Sequence, residues 1–260
     1  MSNKDSIGRT IAVALILCIV CSVVVSTAAV LLRPMQIENK ELDRKINILA
    51  VADIPTDGTS ESVDAAFSQI QTRLVDLSTG QFVDDVDPDT FDARKAVSEE
   101  GKSVELDPLE DTASIRRIPK LQKVYLIEKN GNLDKVIVPV SGYGLWSTMF
   151  GYIALEGDLN TIAGLTFYEH AETPGLGGEI SNPKWKAKWV GKKIYDVVGS
   201  TPEIEVIKGE VTPATPNAQF KVDGLSGATL TSNGVTNLMH FWFGDLGFAP
   251  MLSELKKQEA

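Results

Sequence analysis

The first pattern along this chain is an absence of polar alternation: residues 10–32 carry no charge and lie between Arg9 and Arg33. A run of about 23 such residues is long enough to cross the ~30 Å hydrocarbon layer of a bilayer as one helix. The small residues Ser26-Thr27-Ala28-Ala29 are compatible with signal-peptide cleavage, but Val30, Leu31 and Leu32 extend the apolar run to Arg33, so a retained anchor over residues 1–33 is expected. Over residues 36–52, Ile37, Leu42, Ile46, Leu49 and Ala50 alternate with charges, which predicts a helix continuing out of the span, bent at Pro34. Ser62 then caps a predicted helix with Val63, Ala66, Phe67, Ile70, Leu74 and Leu77 on its apolar face and Gly80 at its end.

From residue 121 the apolar runs become short and strand-like: 124–127, 136–140, 152–155, 164–168, 193–198, 205–211 and 218–222. Asn130-Gly131 is a hairpin turn, and Gly157-Asp158 and Asn217 read as further turns. Helices are expected over 183–189 and 232–243, the latter with Val235, Leu238, Met239 and Trp242 on one face. The pattern predicts an α+β fold: an anchor (1–33), a helical and acidic N-terminal part of the soluble region (34–119), and a domain on an antiparallel sheet with flanking helices (120–260). No internal repeat is present.

Composition narrows the function. The 260 residues carry a formal net charge of -10, so the overall field repels the phosphates of nucleic acids and argues against binding them. The only cysteines, Cys18 and Cys21, lie inside the apolar run, which leaves the remaining chain without a thiol for a disulfide framework or a Cys-rich metal site. At i, i+3 they share a helix face, where small apolar packing is the simplest role. Residues 84–111 hold eleven carboxylates against Arg94, Lys95 and Lys102, a balance of 3 − 11 = −8. This reads as a solvated flank, since no spacing there makes an EF-hand loop. Lys4 and Arg9 precede the span while Arg33, Lys40, Arg44 and Lys45 follow it, so the positive-inside count alone puts the large domain in the cytoplasm.

Candidate chemistry gathers in three glycine-bearing segments. Ser141-Gly-Tyr-Gly-Leu-Trp146 and Glu172-Thr-Pro-Gly-Leu-Gly-Gly178 offer Gly144, Gly175 and Gly177 for close backbone approach, and Leu145, Trp146 and Leu176 as apolar faces for a flat ring. Gly175-Leu-Gly-Gly178 lacks the Lys-Ser/Thr of a P-loop. The third segment is Asp223-Gly-Leu-Ser-Gly-Ala-Thr229, between a strand-like run and a helix, where backbone N–H groups and the helix dipole favour an anion. Thr231 and Ser232 are candidate helix caps. Gly224-Leu-Ser-Gly227 is not a nucleophile elbow, and the only histidines are His170 and His240. Adjacent Glu169 and His170 point to opposite faces of an extended segment, so a hydrogen-bonded histidine is expected there rather than a metal site with Glu172.

Asp223, Ser226, Gly227, Ala228 and Thr229 resemble the signature Asp-x-x-Ser/Thr-Gly-Ala-Thr, in which a flavin transferase attaches FMN through its phosphate to the final threonine. With the single N-terminal span, Lys45-Ile-Asn-Ile-Leu-Ala50, Glu172-Thr-Pro-Gly-Leu-Gly177 and the run from Ser226 to Val235, nearly the whole chain is similar to the C subunits of the bacterial sodium-translocating NADH:quinone oxidoreductases. The G subunits of Rnf electron-transport complexes share the motif. The resemblance implies covalent FMN on Thr229, electron transfer between redox centres of neighbouring subunits, and a complex that oxidises NADH, reduces quinone and exports sodium. It also implies an inner-membrane chain with a periplasmic domain, against the charge count. Leu230, Thr231, Thr173 and Glu172 join the implied cofactor site, with Lys208 as a candidate tuning residue. The chain itself shows no nicotinamide fingerprint and no polar membrane path, so NADH oxidation and sodium transport fall to partner subunits. The reading from another class is a membrane-anchored binding or scaffold domain.

Overall fold

The structure, a computed structural model, describes residues 7–258; Lys4 of the charge count lies outside the described residues. The chain divides after Lys45 into two units. The first is the greater part of helix α1 (Ile7–Val51), whose side chains over the apolar run are exposed and whose length and hydropathy suffice to cross a bilayer. Pro34, the expected bend, lies within a continuous α1, where its ring removes one backbone hydrogen bond.

The second unit runs α2 (Ser60–Phe67), β1 (Gln71–Asp76), β2 (Phe82–Val83), α3 (Ala93–Ser98), β3 (Ser103–Glu105), β4 (Arg117–Pro119), β5 (Leu121–Lys129), β6 (Asn132–Tyr143), β7 (Thr148–Glu156), β8 (Ile162–Glu169), α4 (Pro183–Lys186), β9 (Glu205–Val206), β10 (Lys221–Val222), α5 (Thr229–Trp242) and α6 (Ala249–Gln258). Six strands form one antiparallel sheet in the order β2-β1-β5-β6-β7-β8. Small sheets pair β3 with β4 and, in parallel, β9 with β10.

Alternation along the strands divides the sheet into two apolar faces. Val124, Leu126, Val136, Val138, Ile153, Leu155, Leu165 and Phe167 belong to the main core with Val235, Leu238, Met239 and Trp242 of α5 and Met251, Leu252 and Leu255 of α6. Tyr125, Ile137, Tyr152 and Ala154 occupy the alternate positions. Phe67 of α2 meets Tyr125 edge-on at 6.1 Å, and the Val51 carbonyl lies so close to Gly164 that a side chain there would collide with it.

Three expectations fail. The helix foreseen over residues 62–80 stops at Phe67; Thr59 and not Ser62 is its N-cap, and residues 71–76 form β1. Pairing with β5 across six residues buries Leu74 and Val75 together, which a strand between two covered faces allows and a single helical stripe does not. Gly80 instead sits at positive φ in the β1–β2 turn, under the start of α6. Residues 193–198 make one bridge, Lys193 to Thr161, and no strand. There the Asn160 side chain accepts the Ile194 and Tyr195 N–H groups and donates to the Tyr195 carbonyl, replacing a strand neighbour. The runs 205–211 and 218–222 shorten to β9 and β10, the latter preceded by a 3₁₀ turn (Ala218–Phe220) that starts from left-handed Asn217. Helix α6 was not foreseen.

Candidate functional site

The turn between β10 and α5 is built from close contacts. The Asp223 carbonyl accepts the Trp185 indole N–H at 2.8 Å, and its carboxylate accepts the Val211 N–H at 2.9 Å and pairs with Lys188. Burial works to raise the Asp223 pKa, but Lys188 and the Val211 amide outweigh it and hold the group below the usual carboxylate range. Gly224 donates to the Gly209 carbonyl and has no room for a Cβ against Ile207, so the loop bearing exposed Lys208 lies along the motif. Gly227 has φ +72°, and a Cβ there would stand 2.9 Å from the Leu176 side chain. Ala228 is the N-cap, and Thr229 opens the helix, exposed beside exposed Ser226, Gly227 and Leu230.

No side chain caps this end of α5 among the described residues, so its first-turn amides keep the partial positive charge of a helix N-terminus. The expectation that Thr231 and Ser232 cap the helix fails. Both point into the protein: the Thr231 hydroxyl donates to Glu172 at 2.6 Å, and the Ser232 hydroxyl accepts the Leu225 N–H at 3.2 Å.

Glu172 joins the three glycine-bearing segments. It is 4% exposed, although Ala171 and Thr173 on either side are exposed. Its carboxylate accepts N–H groups of Leu145 (3.1 and 3.2 Å), Trp146 (2.9 Å) and Ser147 (3.3 Å), besides the Thr231 hydroxyl. Burial alone would raise its pKa, but the Thr231 hydroxyl and the three amides outweigh burial and keep it below the ordinary value. A Cβ on Gly144 would stand 2.6 Å from this carboxylate and one on Gly177 2.8 Å, so both glycines make room for it. Gly175, at φ +76°, turns the segment so that the Leu176 and Gly178 amides bond the Thr173 carbonyl. Gly234 in α5 packs on Tyr143 and Gly144.

The structure therefore brings residues 144–147, 172–178 and 223–232 together. Trp146 is 65% exposed and Leu230 58%, and Leu145 and Leu176 are also open, exposures that core packing does not explain. Glu169 pairs with Arg94 at 2.8 Å, and His170 Nε2 lies 2.7 Å from the Ser181 hydroxyl. Each of the three residues weighed as metal ligands thus has another partner. Lys188, Ser147 and Gly234 were absent from the sequence-derived set; the signal available was a glycine interrupting the helical pattern at 234 and a lysine run over 184–193. The arrangement suits a group with an anionic tail at the α5 N-terminus and a flat, largely apolar ring beside Leu145, Trp146 and Leu176.

Comparison with known proteins agrees. Residues 144–244 match the FMN-binding domain family. The chain is 52% identical to the C subunit of the Na(+)-translocating NADH-quinone reductase of Pseudomonas aeruginosa over 100% of both chains, and 46% identical to that of Vibrio vulnificus over 98% of both. Among solved structures it is similar to Shewanella oneidensis NqrC (TM-score 0.76, 34% identity, 84% of this chain and 99% of that one). It is also similar to the C subunit of the Na(+)-translocating NADH-quinone reductase from Parabacteroides distasonis (TM-score 0.62, 28% identity, 84% and 96%). The chain belongs to the family formed by the C subunits of the Na(+)-translocating NADH-quinone reductases, redox enzyme complexes, and carries that family's FMN-binding domain.

Proposed function

We propose that this chain is an electron-carrier subunit whose FMN is esterified through its phosphate to Thr229, and that it passes electrons between redox centres of neighbouring subunits. The observation that carries the reading is the position of Thr229: an open hydroxyl on the first residue of an uncapped helix, in a turn of small residues bordered by exposed Leu230, Trp146, Leu145 and Leu176. The bound flavin supplies one- and two-electron chemistry. The chain's share is to hold and orient it. The α5 N-terminus stabilises the remaining charge of a phosphodiester. Gly227 and Ala228 leave a flavin transferase access to the hydroxyl, and Leu145, Trp146 and Leu176 give the ring apolar neighbours. Gly144, Gly175 and Gly177 set the loops beneath them. Lys208, Thr173 and Ser226 stand at the exposed margin, and Asp223 fixes the turn.

Helix α1 serves as the single-pass anchor of residues 1–33, with 34–119 leading to the FMN-binding α+β part at 120–260. The domain is placed in the periplasm of the inner membrane. A large domain crosses with little regard for charges such as Arg33 and Lys40, and the resemblance puts the transferase outside the cytoplasm. A Ser60→Cys variant labelled by a membrane-impermeant maleimide in whole spheroplasts tests this; labelling only after lysis rejects it.

Attachment is tested by intact mass and by flavin fluorescence of the denatured band. The FMN increment is expected in the wild-type chain and in Ser226→Ala, and is lost in Thr229→Ala. Retention in Thr229→Ala refutes the ester assignment, and a wild-type chain without flavin leaves the scaffold reading.

A further inference from the structure

Glu172 has a burial and a set of partners that flavin attachment does not explain. A buried carboxylate is tolerated only when its oxygens are hydrogen-bonded, and this one takes donors from two distant parts of the chain. The Leu145, Trp146 and Ser147 amides come from the loop that presents two apolar side chains to the exterior, and the Thr231 hydroxyl comes from the first turn of α5. Gly144 lacks room for a methyl group because of this carboxylate, and Gly177 because of the Thr231 hydroxyl and the carboxylate together.

On the reading that Thr229 carries flavin, we propose that Glu172 is a positioning residue that fixes the Leu145–Trp146 loop relative to the helix turn bearing the cofactor. The chemistry needs a carboxylate. Four donors converge on two oxygens, and a carboxylate is the one side-chain group of this reach that offers only acceptors. Glutamine has the same shape but turns an NH2 toward an N–H or a hydroxyl. Aspartate keeps the charge and falls one methylene short. With the clamp released, Leu145 and Trp146 keep their connection to β6 and β7 and lose their register against α5, so the ring's apolar neighbours move independently of its tether.

The test has two arms on the full chain in detergent micelles. In a Thr229→Val background without flavin, amide hydrogen exchange is read for residues 145–147. Hydrogen bonds to an ionised acceptor are each worth about tenfold or more in an opening equilibrium, so Glu172→Gln is expected to speed exchange there at least tenfold while β6–β7 ladder amides are unchanged. Thr231→Val, which removes one donor and keeps the charge, is expected to give a smaller increase and decides the matter where Glu172→Gln does not fold. In the flavin-loaded chain, the iodide quenching constant of flavin fluorescence is expected to rise at least twofold in Glu172→Gln, with Glu172→Asp intermediate. Unchanged exchange at 145–147 overturns the clamp. Faster exchange with unaltered flavin quenching overturns the positioning role and leaves a structural bond. A wild-type chain that carries no flavin refutes the function itself, and with it the positioning role, whatever the exchange arm shows.

Discussion

Replacing Gly234 with alanine sets helix propensity against close packing. Gly234 lies in the middle of the 14-residue helix α5, where alanine is favoured over glycine by about 1 kcal/mol. Propensity alone therefore predicts a more stable protein. An added Cβ, however, would lie 2.5 Å from the Tyr143 carbonyl oxygen and 3.1 Å from Gly144 Cα, both backbone atoms that no rotamer change relieves. A carbon and a carbonyl oxygen rest at about 3.3 Å or more, so α5 must retreat from the end of β6 by roughly 0.8 Å. Overpacking of this kind costs about 1–3 kcal/mol, which exceeds the propensity gain and leaves a net loss of about 1 kcal/mol. Urea unfolding of Gly234→Ala, followed by tryptophan fluorescence, should show a lower midpoint with an unchanged slope. A raised midpoint would show that α5 does not rest on Tyr143 and Gly144 and would refute the geometry given for the site. The same retreat shifts Thr229 and Thr231 relative to Glu172, so flavin quenching by iodide should increase with the loss of stability.

Acid sensitivity follows from Glu172. Its folded pKa lies below the unfolded value, so the unfolded chain binds the proton first. Stability from this group is complete above the unfolded value of about 4.3, declines as pH falls past it and is lost below the folded value. Unfolding midpoints measured from pH 6 to pH 3 should fall more steeply for the wild type than for Glu172→Gln; parallel curves would refute the assignment. Asn160→Ala strands the Tyr195 amide and carbonyl in a buried segment, while the Ile194 amide keeps the backbone carbonyl of residue 160. Each such group costs about 1–3 kcal/mol, so a loss of about 3 kcal/mol is expected in urea unfolding, and a loss under 1 kcal/mol would show that water replaces the side chain.

The legible parts of the sequence were those set by local pattern. Strands β5 to β8 were visible because Val124 to Ile127 and Val136 to Val140 are apolar on both faces and a left-handed Asn130 with Gly131 closes the hairpin. The turn from Asp223 to Thr229 ahead of α5 was visible because its residues are consecutive. Long-range support was not. The run from Ile70 to Leu77 fits a helical stripe as well as a strand, and only pairing with β5, some fifty residues later in the chain, decides it. Residues 193–198 have strand composition, but they make one bridge, Lys193 to Thr161, and the Asn160 side chain takes up the amides of the next two residues. Glu172 was named from its loop, while its role depends on amides 25 to 27 residues earlier and a hydroxyl 59 residues later.

On the proposed phosphoester at Thr229, the buried charge of Glu172 also bears on how one small region serves two anions. A carboxylate beside a phosphodiester would repel it if both drew on the same donors. In this fold the donors are divided. Glu172 takes the Leu145, Trp146 and Ser147 amides and the Thr231 hydroxyl, a side-chain group, which leaves the first-turn amides of α5 without a side-chain cap among the described residues. Threonine at 231 is thus needed for its hydroxyl to face inward while its backbone N–H stays with the helix terminus. A capping serine or aspartate at position 228 would occupy the first-turn amides and compete with the phosphate; Ala228 does not. On the proposed attachment to Thr229, the small residues of the motif accordingly have two roles: they leave a transferase room at the hydroxyl, and they keep the helix end free for a phosphoester charge.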